Sequence, residues 1–205
     1  MKKVLIINGM GGAGKDTFVN FLKEFIPTLH ISIVDNVKQL AKSLGWNEKK
    51  DERGRKFLSD LKLAIDNYDN GNYKYITNIV KKFYNNQLDK PYELLCIDMR
   101  EGNQIDMAKK DFAASTVFVD RKVPFISSNI ADAGVYEYEY DYCINNNGSL
   151  IDLRETAFKF VEMLKKEEKG ERPAPKEEPR KLSRQEVLNK FLELVKEFEE
   201  LFNSI

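Results

Sequence analysis

The run Gly9-Met10-Gly11-Gly12-Ala13-Gly14-Lys15-Asp16-Thr17 constrains this chain more than any other stretch. The apolar segment Val4-Leu5-Ile6-Ile7 leads into it, and Phe18, Phe21, Leu22 and Phe25 follow at helical spacing. A buried strand feeding a glycine-rich turn and then a helix is the context of a phosphate-binding loop. Glycines let the backbone turn through positive φ, so that successive N–H groups converge on one anion. The helix adds unpaired N–H donors and the positive end of its dipole. Lys15 supplies a mobile point charge for terminal phosphates. Gly9, Gly11, Gly12, Ala13, Gly14, Lys15, Asp16 and Thr17 are therefore the expected phosphate-contacting set.

One position departs from the common loop. The residue after the lysine is usually Ser or Thr, whose hydroxyl binds Mg²⁺. Here it is Asp16, with Thr17 next. A carboxylate is a hard oxygen ligand, able to hold Mg²⁺ directly or through water. The alternative is that Asp16 only favours the helix N-terminus electrostatically.

Size and charge narrow the class. A chain of 205 residues buries one good core, with room for an appendage. Its 33 basic and 33 acidic side chains cancel, so no global field draws it to nucleic acid or to a membrane surface. The first apolar run is too short for a membrane span and lacks the layout of a signal peptide. Cys96 and Cys143 each sit in an apolar strand-like run without metal-ligand spacing. Both are expected as buried free thiols, which fits a reducing cytoplasm.

Strand and helix patterns alternate through residues 1–166. Strands are expected near 4–7, 30–34, 94–97, 116–119 and 142–144. Helices are expected near 15–25, 36–44, 52–69, 74–86, 103–109 and 149–166. That order predicts a parallel five-stranded sheet covered on both faces, with ligands beyond the carboxyl ends of its strands. Residues 167–182 mix charges with Pro173, Pro175 and Pro179 and read as an extended linker. Ser183 and Glu186 then form a capping-box pattern opening an amphipathic helix over residues 183–205. Its seam of Leu188, Phe191, Val195, Phe198, Phe202 and Ile205 has three expected destinations: its own domain, a second copy, or another protein.

Several charged residues sit where strands end. Asp35 and Lys38 follow the second strand, where they could meet an acceptor; a helix cap and a solvated lysine are the plainer alternatives. Arg53 and Arg55 precede an amphipathic helix, and an arginine fork suits a dianionic phosphate. Asp98 closes the third strand, the usual place of a second metal-holding group. Arg100, two residues on, returns to the same side of the chain and could clamp phosphate. Arg121 and Lys122 follow the fourth strand. His30, the only histidine, is expected to be structural. Trp46 is read as packing between helices, with stacking on a base left open. Closure over the site is expected from loops around residues 121–129 or from the helical insertion at 67–92.

Gly14-Lys15-Asp16-Thr17 resembles the loop of the deoxynucleoside monophosphate kinases, and a similar loop occurs in phosphomevalonate kinases. Other segments resemble the same family in the same order. They are Asp35-Asn36-Val37-Lys38, the arginine turn before Phe57-Leu58-Ser59-Asp60-Leu61, Asp98-Met99-Arg100-Glu101, and Asn147-Gly148-Ser149-Leu150. The resemblance implies a three-layer P-loop NTPase fold over residues 1–166 and small nucleotide substrates. It implies transfer of the γ-phosphoryl group of Mg-ATP to a nucleoside monophosphate. On that reading Lys15, Arg100 and Arg121 serve transfer, and Arg121 also approaches the donor phosphates. Asp16 and Asp98 hold Mg²⁺, while Asp35, Lys38, Arg53, Arg55 and Arg100 receive the acceptor. The turn at residues 145–150 lies beside adenine in such kinases. A nucleotide-binding interaction protein, or a kinase of another phosphorylated metabolite, is the competing expectation.

Overall fold

A computed structural model describes residues 1–49, 51–122 and 135–171 of the chain. The elements run β1 (Lys3–Asn8), α1 (Lys15–Phe25), β2 (Thr28–Ser32), α2 (Asp35–Ser43), α3 (Glu52–Asp69) and α4 (Gly71–Tyr84). There follow β3 (Leu94–Asp98), α5 (Gly102–Phe112), β4 (Ser115–Asp120), β5 (Tyr142–Asn145) and α6 (Leu150–Glu168). The strands form one five-stranded sheet in the order β2-β3-β1-β4-β5, and every pairing is parallel. This is the three-layer α/β P-loop fold expected from the strand–loop–helix order, with the loop leaving the central strand.

β1 can be central because both of its faces are apolar. Leu5 and Ile7 pack with Phe18, Val19 and Leu22 of α1 and with Leu153, Ala157, Phe160 and Val161 of α6. Val4 and Ile6 pack on the other face with Ile76, Val80 and Phe83 of α4 and with Ile105 and Ala108 of α5. A strand buried on both sides is the usual state of a parallel sheet, since the crossover helices cover both faces. Phe18 meets Phe160 with ring centroids 5.8 Å apart, which ties the first helix to the last.

Four expectations need correction. β2 lies two residues earlier than the apolar run 30–34 predicts; it ends at Ser32 because Ile33 packs in the second core and Val34 caps α2. Cys96 is buried, but Cys143 is exposed. β5 is an edge strand with alternating burial, so Tyr142 and Ile144 face the core while Cys143 points away. The insertion at 67–92 is not a lid: α4 buries Tyr73, Ile76, Val80 and Phe83 in the sheet's second core. α6 extends to Glu168, two residues into the expected linker. The chain divides into units at Met1–Lys169 and Gly170–Ile205. The helix expected at 183–205 lies outside the described residues, as does most of the loop at 121–129. Among the described residues no helix is long and apolar enough to cross a membrane.

The entry to β5 is fixed by one carboxylate. Asp141 Oδ2 accepts hydrogen bonds from Thr116 N at 2.8 Å and Thr116 Oγ1 at 3.0 Å, while Oδ1 accepts from Lys109 Nζ at 3.3 Å. Burial by itself raises the pKa of Asp141, but the Thr116 and Lys109 bonds outweigh it and hold the group below its ordinary value. A depressed folded-state pKa gives stabilisation that is complete above the ordinary carboxylate range and lost as pH falls through the folded value. Asp141→Asn is therefore expected to lower stability at neutral pH and to flatten the acid limb of a stability–pH profile measured by urea unfolding.

Candidate functional site

The loop between β1 and α1 is built around buried amides. Asn8, the last residue of β1, is fully buried; its Oδ1 accepts from Gly9 N at 2.8 Å and its Nδ2 donates to Tyr140 Oη at 2.8 Å. The Tyr140 hydroxyl in turn donates to Val135 O at 2.8 Å, and its ring stacks on Phe118 with centroids 4.9 Å apart. Burial, set against the Asn8 hydrogen bond, leaves the Tyr140 hydroxyl pushed up to about 12, so it stays a neutral donor. Gly9 takes φ 147°, and a Cβ placed there would stand 2.5 Å from Val119 O of β4. A larger residue would push the loop off the sheet.

At the far end of the loop, Asn146 performs the complementary task. It is buried in the turn after β5, donates its backbone N–H to Asp120 O at 2.7 Å, and donates Nδ2 to Ala13 O at 2.8 Å. α1 then starts at Gly14, in the left-handed region, with no side-chain cap. The N–H groups of a helix's first turn have no partner within the helix, so an anion is the natural cap at this position. Lys15 turns back onto the loop: Nζ donates to Gly9 O at 2.6 Å and to Met10 O at 2.9 Å. Ala13 N donates to Met10 O at 3.1 Å, which closes the turn.

The sheet register brings the acidic residues to the same end. Ile7 of β1 and Ser32 of β2 both pair with Asp98 of β3. Asp98 thus lies one strand from the start of the loop, as expected. Asp16 is exposed in the first turn of α1. A carboxylate oxygen of Asp16, one of Asp98 and a ring nitrogen of His30 all lie within 4.8 Å of one another. His30, expected to be structural, stands in the same cluster as Asp16 and Asp98. It pairs with Cys96 across β2 and β3, so its ring stands on the α1 face beside Asp98.

The remaining predicted residues divide. Asp35 and Lys38 are 2.9 Å apart, and Asp35 Oδ2 also accepts from Ser32 N at 2.7 Å. Asp35 is not the cap of α2, which is Val34 without a side-chain cap bond; it is the first residue of the helix, and its carboxylate turns back to Ser32. Arg53 and Arg55 are exposed in the first turn of α3, whose N-cap Asp51 accepts from Gly54 N at 2.8 Å. Gly54 is buried against the turn at residues 46–49: an added Cβ would collide with Lys49 O and approach Trp46 Nε1 at 3.1 Å. That close approach opens a cavity of about 450 Å³ lined by Trp46, Arg53 and Phe57 among others. Trp46 donates Nε1 to Lys49 O at 3.2 Å and stands half-buried between the end of α2 and the start of α3. Arg100 is half-buried after β3, next to Glu101, whose carboxylate is held by Lys62 of α3 at 3.0 Å. Arg121 is exposed at the end of β4. Ser149 and Asp152 form a capping box at α6, so that part of the turn is structural.

Asn8 and Asn146 were not singled out by sequence reasoning. Asn8 immediately precedes the first glycine, and Asn146 lies inside a turn already selected for another reason; burial is what distinguishes them.

No family model and no curated protein sequence matches the chain. Among solved structures, shikimate kinase from Aquifex aeolicus is 13% identical, with 83% of this chain and 99% of that one covered at a TM-score of 0.44. The APS kinase of Mycobacterium tuberculosis is 12% identical, with 78% and 97% covered at a TM-score of 0.42. These likenesses assign no substrate; the fold rests on the sheet order and the loop.

Removing the Asn146 amide leaves the buried Ala13 carbonyl without its donor, a loss of about 1–3 kcal/mol. Asn146→Ala is expected to lower the melting temperature and to shrink the further rise produced by tripolyphosphate, both read in one thermal-shift series.

Proposed function

We propose that this chain is a phosphotransferase that moves the γ-phosphoryl group of Mg-ATP to the phosphate of a small acceptor, a nucleoside or deoxynucleoside monophosphate. The observation that carries the reading is Lys15 at the head of α1, beside a glycine turn with positive φ at Gly9, Gly12 and Gly14, and one strand away from Asp98. A phosphate bound in that turn takes Lys15 Nζ from the two carbonyls it now touches. The transferred group then forms a new P–O bond to an acceptor phosphate oxygen as the bond to the β,γ-bridging oxygen breaks, leaving ADP. Such transfer asks the protein for alignment and charge neutralisation more than for covalent chemistry. No strong general base is needed, because the acceptor oxygen is already anionic.

A divalent ion fits the carboxylates. Among the described residues the buried Asp98 Oδ1 has no hydrogen-bond partner, and the exposed Asp16 supplies a second hard oxygen. With Mg²⁺ these residues would hold the ion that neutralises the phosphate oxygens. Arg53 is the acceptor arginine best supported, since it lines the cavity with Trp46 and Phe57, where a planar base has aromatic surface to meet. Arg55, Arg100 and Arg121 complete the cationic set around donor and acceptor.

ADP release with Mg-ATP, measured against ribo- and deoxyribonucleoside monophosphates, dephospho-coenzyme A and phosphomevalonate, tests the proposal. One nucleoside monophosphate should stimulate release, and Lys15→Ala should reduce the rate by about a hundredfold or more. Unchanged turnover in Lys15→Ala removes the donor-site assignment. Stimulation only by a non-nucleotide acceptor removes the nucleotide reading while keeping the transfer. Arg53→Ala is expected to raise the acceptor KM about tenfold or more with a smaller effect on kcat, as loss of a charged hydrogen bond requires. An unaltered KM assigns the acceptor to another arginine.

A further inference from the structure

We infer that His30, Asp98 and Asp16 form a binding site for one divalent transition-metal ion, of the Mn²⁺ or Co²⁺ class, that fills without nucleotide. The inference rests on three side chains and not on the phosphotransfer reading. His30 projects from β2 and Asp98 from β3 onto the sheet face covered by α1, and Asp16 comes from the first turn of α1 itself. Three elements adjacent in space but distant in sequence therefore deliver one nitrogen and two oxygens to a common point, all within 4.8 Å of one another.

Bonds of about 2.0–2.2 Å put the ligands of a single ion roughly 3–4.4 Å apart. The observed triangle needs only a small contraction, and the exposed Asp16 is free to make it.

The strongest sign is an unresolved contact. His30 Nε2 stands 3.1 Å from Asp98 Oδ1. Yet neither atom has a hydrogen-bond partner among the described residues, although both are buried. The contact is an ion pair only when the imidazole is protonated; with a neutral ring the two buried atoms face each other uncompensated. A cation bound to both satisfies the imidazole lone pair and the carboxylate oxygen together. The donor set also states which cation. Mg²⁺ and Ca²⁺ are held by oxygen, whereas imidazole favours first-row transition ions. The remaining coordination positions are left for water or for phosphate oxygens. Where Asp16 and Asp98 alone would leave metal identity to the medium, His30 biases it.

The chain contains a single histidine, which makes the test direct. The tag-free, nucleotide-free protein is titrated with Mn²⁺, binding is followed through the loss of free-ion electron paramagnetic resonance, and the bound ion is examined by electron spin echo for coupling to ¹⁴N of imidazole. One Mn²⁺ per chain with an imidazole coupling is expected, and that coupling has only one possible source. His30→Gln should abolish it and weaken Mn²⁺ binding about tenfold or more. Asp16→Asn, at an exposed position that leaves the core untouched, should weaken binding and keep the coupling. Absence of stoichiometric Mn²⁺ in the wild-type chain, a bound ion without ¹⁴N coupling, or binding unaltered by His30→Gln overturns the inference. None of these outcomes depends on whether phosphate is transferred, and failure of the Lys15 experiment leaves the metal result standing.

Discussion

A backbone that turns its N–H groups toward one point turns its carbonyls elsewhere, and each buried carbonyl then needs a donor. In the loop after β1 this constraint is met by side chains placed at a distance. Ala13 O is taken by Asn146 from the turn after β5, while Gly9 O and Met10 O share Lys15. Asn8 holds the first loop N–H and reaches outward to Tyr140. The concavity is thus a property of the sheet, since β1, β4 and β5 must be in register for Asn8, Asp120 and Asn146 to meet it. Packing of α1 against α6 and the sheet then fixes where Lys15 and Asp16 emerge.

Much of this was legible in the chain. Apolar runs such as Val4-Leu5-Ile6-Ile7 and Leu94-Leu95-Cys96-Ile97 are long enough to identify two-faced strands, and the glycine loop identifies which strand carries the ligand. What periodicity cannot register is the pairing between strands. His30 has no partner in its own segment, and becomes meaningful only when β2 lies beside β3 with Ser32 opposite Asp98. Cys143 misled for a related reason: its neighbours are apolar, but β5 is an edge and only alternate residues are covered. The insertion at 67–92 looked separable because a helix pattern of that length says nothing of what it packs on. Tyr73, Val80 and Phe83 show that it belongs to the body of the fold.

The acceptor side was least legible. Arg53 and Arg55 differ by two positions on one helical turn, and sequence offers no reason to prefer either. The distinction comes from Gly54, whose missing side chain lets the turn at residues 46–49 approach α3 and brings Trp46 beside Arg53. Arg53, and not Arg55, borders the cavity on the far side of that contact.

The resting position of Lys15 has a further consequence. With its ammonium bound to two carbonyls of its own loop, the loop carries an internal competitor for every incoming anion. A ligand must replace both contacts at once, and a small anion that reaches one donor leaves two backbone oxygens stranded. A chain of linked phosphates is long enough to reach the turn and the ammonium together. On the proposed function, the tether between Lys15 and its own loop favours such a chain over a single phosphate or carboxylate, before any contact to base or sugar is made.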